Sequence, residues 1–153
     1  MTADLPQRRH PVHGLRPAPN MPVVVFLTIC TRGRVSCLAN DYCHETLRHV
    51  WQSATAWRVG PYIIMPDHIH LFAVPGEPEL DLGRWVRFWK SQVTRASGDP
   101  TLRWQLDYWD TRMRSRAAYA AKLDYAYHNP VRHRLVARAE DWPYRGEVFP
   151  VEW

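Results

Sequence analysis

Two histidines separated by one residue, His68 and His70, stand in the run Pro61-Tyr-Ile-Ile-Met-Pro-Asp-His-Ile-His-Leu-Phe-Ala-Val74. Alternate side chains of a strand face opposite sides. His68 and His70 then share one side, and Ile69, Leu71 and Ala73 take the other. Two imidazoles presented this way by a rigid element are a ready pair of ligands for one divalent metal ion. The plainer alternative is a half-exposed strand face with two polar residues. A second constellation is Tyr125 and Asn129, four residues apart in an alanine-rich stretch of high helix propensity. Residues at that spacing lie on one helix face. The amide oxygen could complete a metal site with the two histidines. The phenol, a poor nucleophile at its ordinary pKa of about 10, could attack once a metal-held phosphate or a local base activates it. Taken alone, this tyrosine and asparagine read as core and cap.

The elements that must position these groups follow from periodicity and turn chemistry. Residues 23–31, β-branched and apolar, predict a central strand, and Arg32-Gly33-Arg34 a positively charged turn. Asn40 or Asp41 caps a helix over 42–56, with Leu47, Val50, Trp51 and Ala54 on its buried face. Residues 57–65 predict a strand broken at Gly60-Pro61, pairing antiparallel with a strand over 68–74. Asp81 caps a second helix over 82–96, stopped by Gly98-Asp99-Pro100. Residues 102–114 predict a turn and a fourth strand. Ser115 opens a third helix that Asn129-Pro130 ends, because proline disfavours helix in the residue before it. The order matches a split βαβ, ferredoxin-like α+β fold, an antiparallel sheet covered by helices. The expected organisation is a basic proline-rich arm over 1–21, one domain over 22–130, and an irregular basic and aromatic tail over 131–153 packed on it.

The bulk composition narrows the class. A chain of 153 residues with 46% hydrophobic content suits one domain with a real core. The net charge of +5 makes a nucleic-acid partner worth weighing, and eight tryptophans and seven tyrosines include candidates for stacking on unpaired bases. No apolar run reaches membrane-spanning length. Cys30, Cys37 and Cys43 form no CxxC pair and, with no secretion signal, read as free thiols of a reducing cytoplasm. Cations able to follow a DNA backbone are Arg8 and Arg9 on the arm, Arg84, Arg87 and Lys90 on the second helix, Arg112 and Arg114 at the fourth strand, and Arg132, Arg134 and Arg138 beyond the third helix. For any single one of these, a solvated face is the plainer alternative.

In combination the motifs resemble a known family. Met65-Pro-Asp-His-Ile-His-Leu71 and Tyr125-Ala-Tyr-His-Asn-Pro-Val131 resemble the two signature blocks of the single-tyrosine HUH transposases, and more closely the REP-associated tyrosine transposases. The resemblance extends to Arg8-Arg9-His10, the 26–31 strand, Trp104-Gln105 with Asp110, and Asp141-Trp-Pro-Tyr144, so it covers most of the chain. The chain departs from the pattern at Ala126, where isoleucine is usual, at His133-Arg134, where Ala-Gly is common, and at Arg114, Ser115 and Arg116, where acidic residues are frequent. The resemblance implies a monomer, or alternatively a helix-exchanged dimer, that cuts single-stranded DNA beside a hairpin. It implies Mg²⁺ or Mn²⁺ on His68, His70 and Asn129, and a 5′-phosphotyrosine link on Tyr125. Imidazole and amide ligands suit Mn²⁺ better than Mg²⁺. Two other readings use the same residues: a non-catalytic binder of structured DNA or RNA, and a hydrolase with water as nucleophile. A histidine-triad nucleotide hydrolase would need a third alternating histidine, and position 72 is Phe72.

Overall fold

The computed structural model describes residues 22–78 and 80–153. Its centre is β1 (Val24–Cys30), all of whose residues are buried. A β-branched apolar run of this kind belongs between two neighbours, and β1 has β3 (His68–Pro75) on one side and β4 (Trp109–Met113) on the other. With β2 (Trp57–Ile64) and β5 (Arg145–Glu147) the sheet runs β4-β1-β3-β2-β5, antiparallel throughout. The first four strands, with helix α1 (Asp41–Ser53) after β1 and α2 (Leu82–Ser97) after β3, make the ferredoxin-like arrangement expected from the element order.

Local chemistry sets the element ends. The Asn40 side chain accepts from the Cys43 amide at 2.8 Å and opens α1, and Asp81 does the same for Arg84 at 2.8 Å in α2. Gly98 closes α2 in the left-handed conformation, φ 62°. The hairpin between β2 and β3 is tight, with Met65 N–H donating to the His68 carbonyl at 2.8 Å. Two expectations need correction. Gly60-Pro61 does not break β2. The strand runs on, and the register slips between Val59 and Tyr62 instead. A side chain at Gly60 would meet Val151 Cγ2 at 2.5 Å, so anything larger than glycine there would displace Val151. The C-terminal stretch is also less irregular than expected, because residues 145–147 add β5 to the free edge of β2.

The pleat divides the sheet into two unlike faces. Val25, Leu27 and Ile29 of β1, with Ile69, Leu71 and Ala73 of β3, pack under α1 and α2 against Leu47, Trp51, Trp85 and Trp89. Val24 and Phe26, with Ile63, Phe72 and Met113, face the other way, toward helix α3 (Arg116–Tyr127) and the C-terminal segment, where Ala126 and Trp142 close a smaller core. Trp142 Nε1 donates to the Ile64 carbonyl at 3.0 Å and ties that segment down. Among the described residues, no helix is long and apolar enough to cross a membrane.

Lys90 is the one lysine inside the larger layer, 6% exposed, its Nζ donating to the Gln105 carbonyl at 2.9 Å. Burial drives its amine down to about 8, against the opposing pull of Asp107. The unfolded chain therefore holds this proton more tightly than the native state between pH 8 and the ordinary value near 10.4. The penalty is full below pH 8 and disappears as pH rises through that window. Relative to a Lys90→Met variant, the native protein should gain on the order of 3 kcal/mol of stability between pH 8 and 10.4. Urea unfolding of both proteins across that range checks this, and a difference that does not change with pH would show an amine of ordinary pKa.

Candidate active site

The register of β1 against β3 builds the site. Thr28 stands opposite His70 and Cys30 opposite His68, so both imidazoles lie on the face that α3 covers. Their ring centroids are 4.8 Å apart with planes at 77°, and both residues are buried, at 4% and 6% exposure. His70 Nδ1 lies 2.9 Å from Thr28 Oγ1, and its ring stacks on Phe26 at 5.2 Å. His68 Nδ1 lies 2.7 Å from Asp67 Oδ1. With Nδ1 of each ring engaged, Nε2 is the nitrogen each can offer elsewhere. Burial, with the neighbouring charges of Lys122 and Arg132, holds His70 well below the ordinary histidine range, so it is neutral, the form that ligates metals. Asp67 is the reverse case. Burial opposes its ionisation, but hydrogen bonds from His68 and Arg34, and the Arg34 charge, prevail, leaving the carboxyl well below the usual carboxylate range.

Asn129 reaches the same point from the other layer. Its Nδ2 is 3.2 Å from His68 Nε2, and the residue is 4% exposed. It does not sit on α3 as expected. That helix stops at Tyr127, His128 intervenes, and Asn129 opens a separate one-turn helix, α4 (Asn129–Arg132). The cause is Pro130. A continuous helix would need an N–H from Pro130 to the Ala126 carbonyl, which proline lacks, whereas in the first turn of a new helix that donor is not missed. Tyr125 and Asn129 are therefore joined by Arg132 rather than by one helix face. The Arg132 guanidinium lies 3.7 Å from the Tyr125 ring centroid, donates to the Tyr125 carbonyl, and has Nη2 3.5 Å from Asn129 Oδ1. Lys122 Nζ lies 5.3 Å from the Tyr125 ring and 5.3 Å from that of Phe26, which carries the cluster on to His70.

Of the tyrosines on α3, Tyr125 is the accessible one, 47% exposed. Tyr119 packs its ring on Phe72 at 4.9 Å, and burial pushes its hydroxyl up to about 12. Tyr127 donates to the Gly146 carbonyl at 3.3 Å. Among the described residues, no three His, Cys, Asp or Glu side chains are grouped to hold a metal ion. A metal here would rest on two imidazoles and, after a turn of its amide, Asn129 Oδ1. That donor set fits. Both rings have Nδ1 occupied and Nε2 available, one is held neutral, and the amide supplies an oxygen suited to Mn²⁺.

The basic residues divide by face. Arg84, Arg87 and Lys90 belong to α2, on the opposite side of the sheet from the histidines. Lys90, expected to follow a DNA backbone, is buried on a carbonyl and is not free to do so. Arg112 pairs with Val25, whose side chain also faces the α1–α2 layer. Arg114 is exposed just after β4. Arg132 is part of the site. Arg134 is exposed with φ 57°, and Arg138 pairs with Glu140 and Asp141, each at 3.4 Å. Arg8 and Arg9 lie outside the described residues. Sequence reading gave no role to Asp67, Arg34, Thr28 or Lys122. Asp67 stands next to His68 and could have been weighed as its orienting partner. Thr28, Arg34 and Lys122 carried no local signal.

No protein-family profile matches the chain. An Escherichia coli REP-associated tyrosine transposase is 29% identical over 139 residues, covering 84% of this chain and 82% of that protein. A Haemophilus influenzae protein assigned to the same group is 27% identical over 150 residues, covering 84% and 85%. A solved REP-associated tyrosine transposase bound to a REP hairpin superposes with a TM-score of 0.70 at 28% identity, covering 81% of this chain and 76% of that one. This chain is a relative of the REP-associated tyrosine transposases. The resemblance read from the two signature blocks and the ferredoxin-like fold both agree with these neighbours, and in this chain the blocks meet from opposite layers where Asn129 reaches His68.

The Thr28–His70 pair gives a direct test of the site's construction. Thr28→Val keeps the shape but removes the oxygen that stands 2.9 Å from His70 Nδ1. Leaving that buried nitrogen without a partner should cost about 1–3 kcal/mol. Urea unfolding of the variant measures it, and an unchanged midpoint would mean that the pair contributes nothing.

Proposed function

We propose that the chain binds hairpin DNA and cuts and rejoins the adjoining single strand through Tyr125, with Mg²⁺ or Mn²⁺ held by His68, His70 and Asn129. One observation carries this. Two buried imidazoles stand side by side, Asn129 meets the Nε2 of one of them, His68, at 3.2 Å, and Arg132 links that amide to an exposed phenol. The named relatives and the hairpin-bound neighbour support the DNA partner and the transposase class. When bound, the metal supplies Lewis-acid activation of the scissile phosphate and a clamp on its oxygens.

The remaining steps fall to the chain. Arg132 and Lys122 flank the Tyr125 ring and stabilise the negative charge of the phosphate brought against it. The phenol oxygen attacks phosphorus in line as the bond to the 3′ oxygen breaks. The products are a 5′-phosphotyrosine and a free 3′-hydroxyl. The bond energy stays in the covalent link, so the same hydroxyl can reverse the step and rejoin strands without a nucleotide cofactor. We take the working unit to be a monomer, in which a single chain supplies His68, His70, Tyr125, Asn129 and Arg132 to the site.

The test is a protein–DNA adduct that survives denaturation after incubation with a hairpin-tailed single strand and Mn²⁺. Tyr125→Phe, His68→Ala and His70→Ala should each abolish the adduct and leave hairpin binding within a few-fold of the unmodified protein. Cutting that persists in Tyr125→Phe would point to water as the nucleophile. No adduct with any hairpin or metal would leave a binding module.

A further inference from the structure

Arg34 and Asp67 stand behind His68 in an arrangement that the reaction above does not use. Asp67 Oδ1 is 2.7 Å from His68 Nδ1, and Asp67 Oδ2 accepts from Arg34 Nε at 2.9 Å. Each carboxylate oxygen thus has one donor. We propose that Arg34 and Asp67 are positioning residues, holding His68 as the Nδ1–H tautomer and aiming its Nε2 lone pair into the site. The inference rests on the metal-centre reading only for its consequence. The tautomer is a property of the metal-free protein.

An ionised carboxylate only accepts, so the hydrogen in the Asp67 contact lies on His68 Nδ1. The far side of the ring agrees: an amide nitrogen donates, and Asn129 Nδ2 faces Nε2 at 3.2 Å. Arg34 Nη2 also lies 3.4 Å from His68 Nδ1. Both are donors in this tautomer, and the carboxylate between them is what holds them together.

The backbone is arranged to keep the relay in place. Thr31 N–H donates to the Asp67 carbonyl at 3.0 Å, and Cys37 and Leu38 N–H donate to the Pro66 carbonyl at 2.9 and 3.0 Å. The loop after β1 is thereby fastened to the turn that precedes His68. Within that loop Arg34 holds φ 56°, a left-handed conformation uncommon for a residue with a side chain. Outliers of this kind persist where surrounding structure dictates a side chain's placement. Here the placement delivers Nε to Asp67. Orienting partners behind a metal-binding histidine are worth about 10- to 100-fold in metal affinity.

The experiment is histidine ¹⁵N NMR on the full chain without metal, with the His68 signals identified by their loss in His68→Gln. Two-bond nitrogen–proton correlations distinguish the tautomers. The unmodified protein should show His68 protonated on Nδ1. In Asp67→Asn the single amide oxygen goes to Arg34 and the amide nitrogen turns toward the ring, so the proton should move to Nε2. Mn²⁺ affinity, read by electron paramagnetic resonance, should fall about 10- to 100-fold with an unchanged circular dichroism spectrum. Arg34→Gln should move both readouts the same way by less. An Nε2–H tautomer in the unmodified protein overturns the proposal, as does an Asp67→Asn protein that keeps both tautomer and affinity. Should Asp67→Asn fail to fold, the unmodified spectrum and Arg34→Gln decide. Should the unmodified protein bind no Mn²⁺, the metal-centre reading falls, and the tautomer alone upholds or overturns the relay.

Discussion

The structure turns on the pairing of β1 with β3. That register sets Thr28 against His70, Phe26 against Phe72 and Leu27 against Leu71. Because side chains alternate with a period of two, a slip of one residue would exchange the faces. Both histidines would enter the apolar layer under α1 and α2, and Ile69 and Leu71 would line the site. The large core resists that slip. Ile29, Leu27, Ile69 and Leu71 are wholly buried on one side, and exchanging them for imidazoles would leave buried polar nitrogens without partners. The apolar residues thus hold the histidines on the correct face without touching them.

The two layers have different tasks, and their composition follows. The α1–α2 layer is dense with tryptophan, with Trp51, Trp85 and Trp89 fully buried, and it contains the larger core. The α3 layer has fewer buried residues. Helix α3 buries only Ala126 completely, and its remaining face is left for Lys122 and Tyr125. A helix so lightly packed depends on others for its seat. Trp142 and Trp153 help to supply it, Trp153 packing on Tyr119 of the helix at 5.7 Å, and the C-terminal segment closes the smaller core. The same segment adds β5, which covers the edge of β2 that would otherwise offer unpaired backbone groups.

Much of this was legible in the sequence, and the failures have physical causes. Runs such as Val24–Cys30, and the caps at Asn40, Asp81 and Ser115, are local signals, and the elements formed where those signals stood. The His68–His70 pair was legible because alternation is also local. The division of cations was not. Arg84 and Lys90 are both cations of one helix, yet one is exposed and the other, at the border of the apolar stripe, is buried on a carbonyl, which depends on where Gln105 returns. β5 is three residues long, too short for a periodic pattern. The link between Tyr125 and Asn129 was expected from helical spacing and arises instead from Arg132, beyond the break that Pro130 imposes.

That break has a consequence for how the site is held. In a continuous helix, any shift of α3 would carry the amide and the phenol together. Here Asn129 belongs to a separate turn, buried and seated against His68, while Tyr125 stays on α3, half exposed. The amide is fixed to the sheet, and the phenol is fixed to the helix. Arg132 spans the two by its contacts with Tyr125 and with Asn129 Oδ1. The arrangement of Asn129 against His68 can therefore remain constant while the helix end adjusts. The covalent reaction proposed for the phenol would benefit from this separation, because its attacking group must travel toward phosphorus while the groups proposed to hold the phosphate need not.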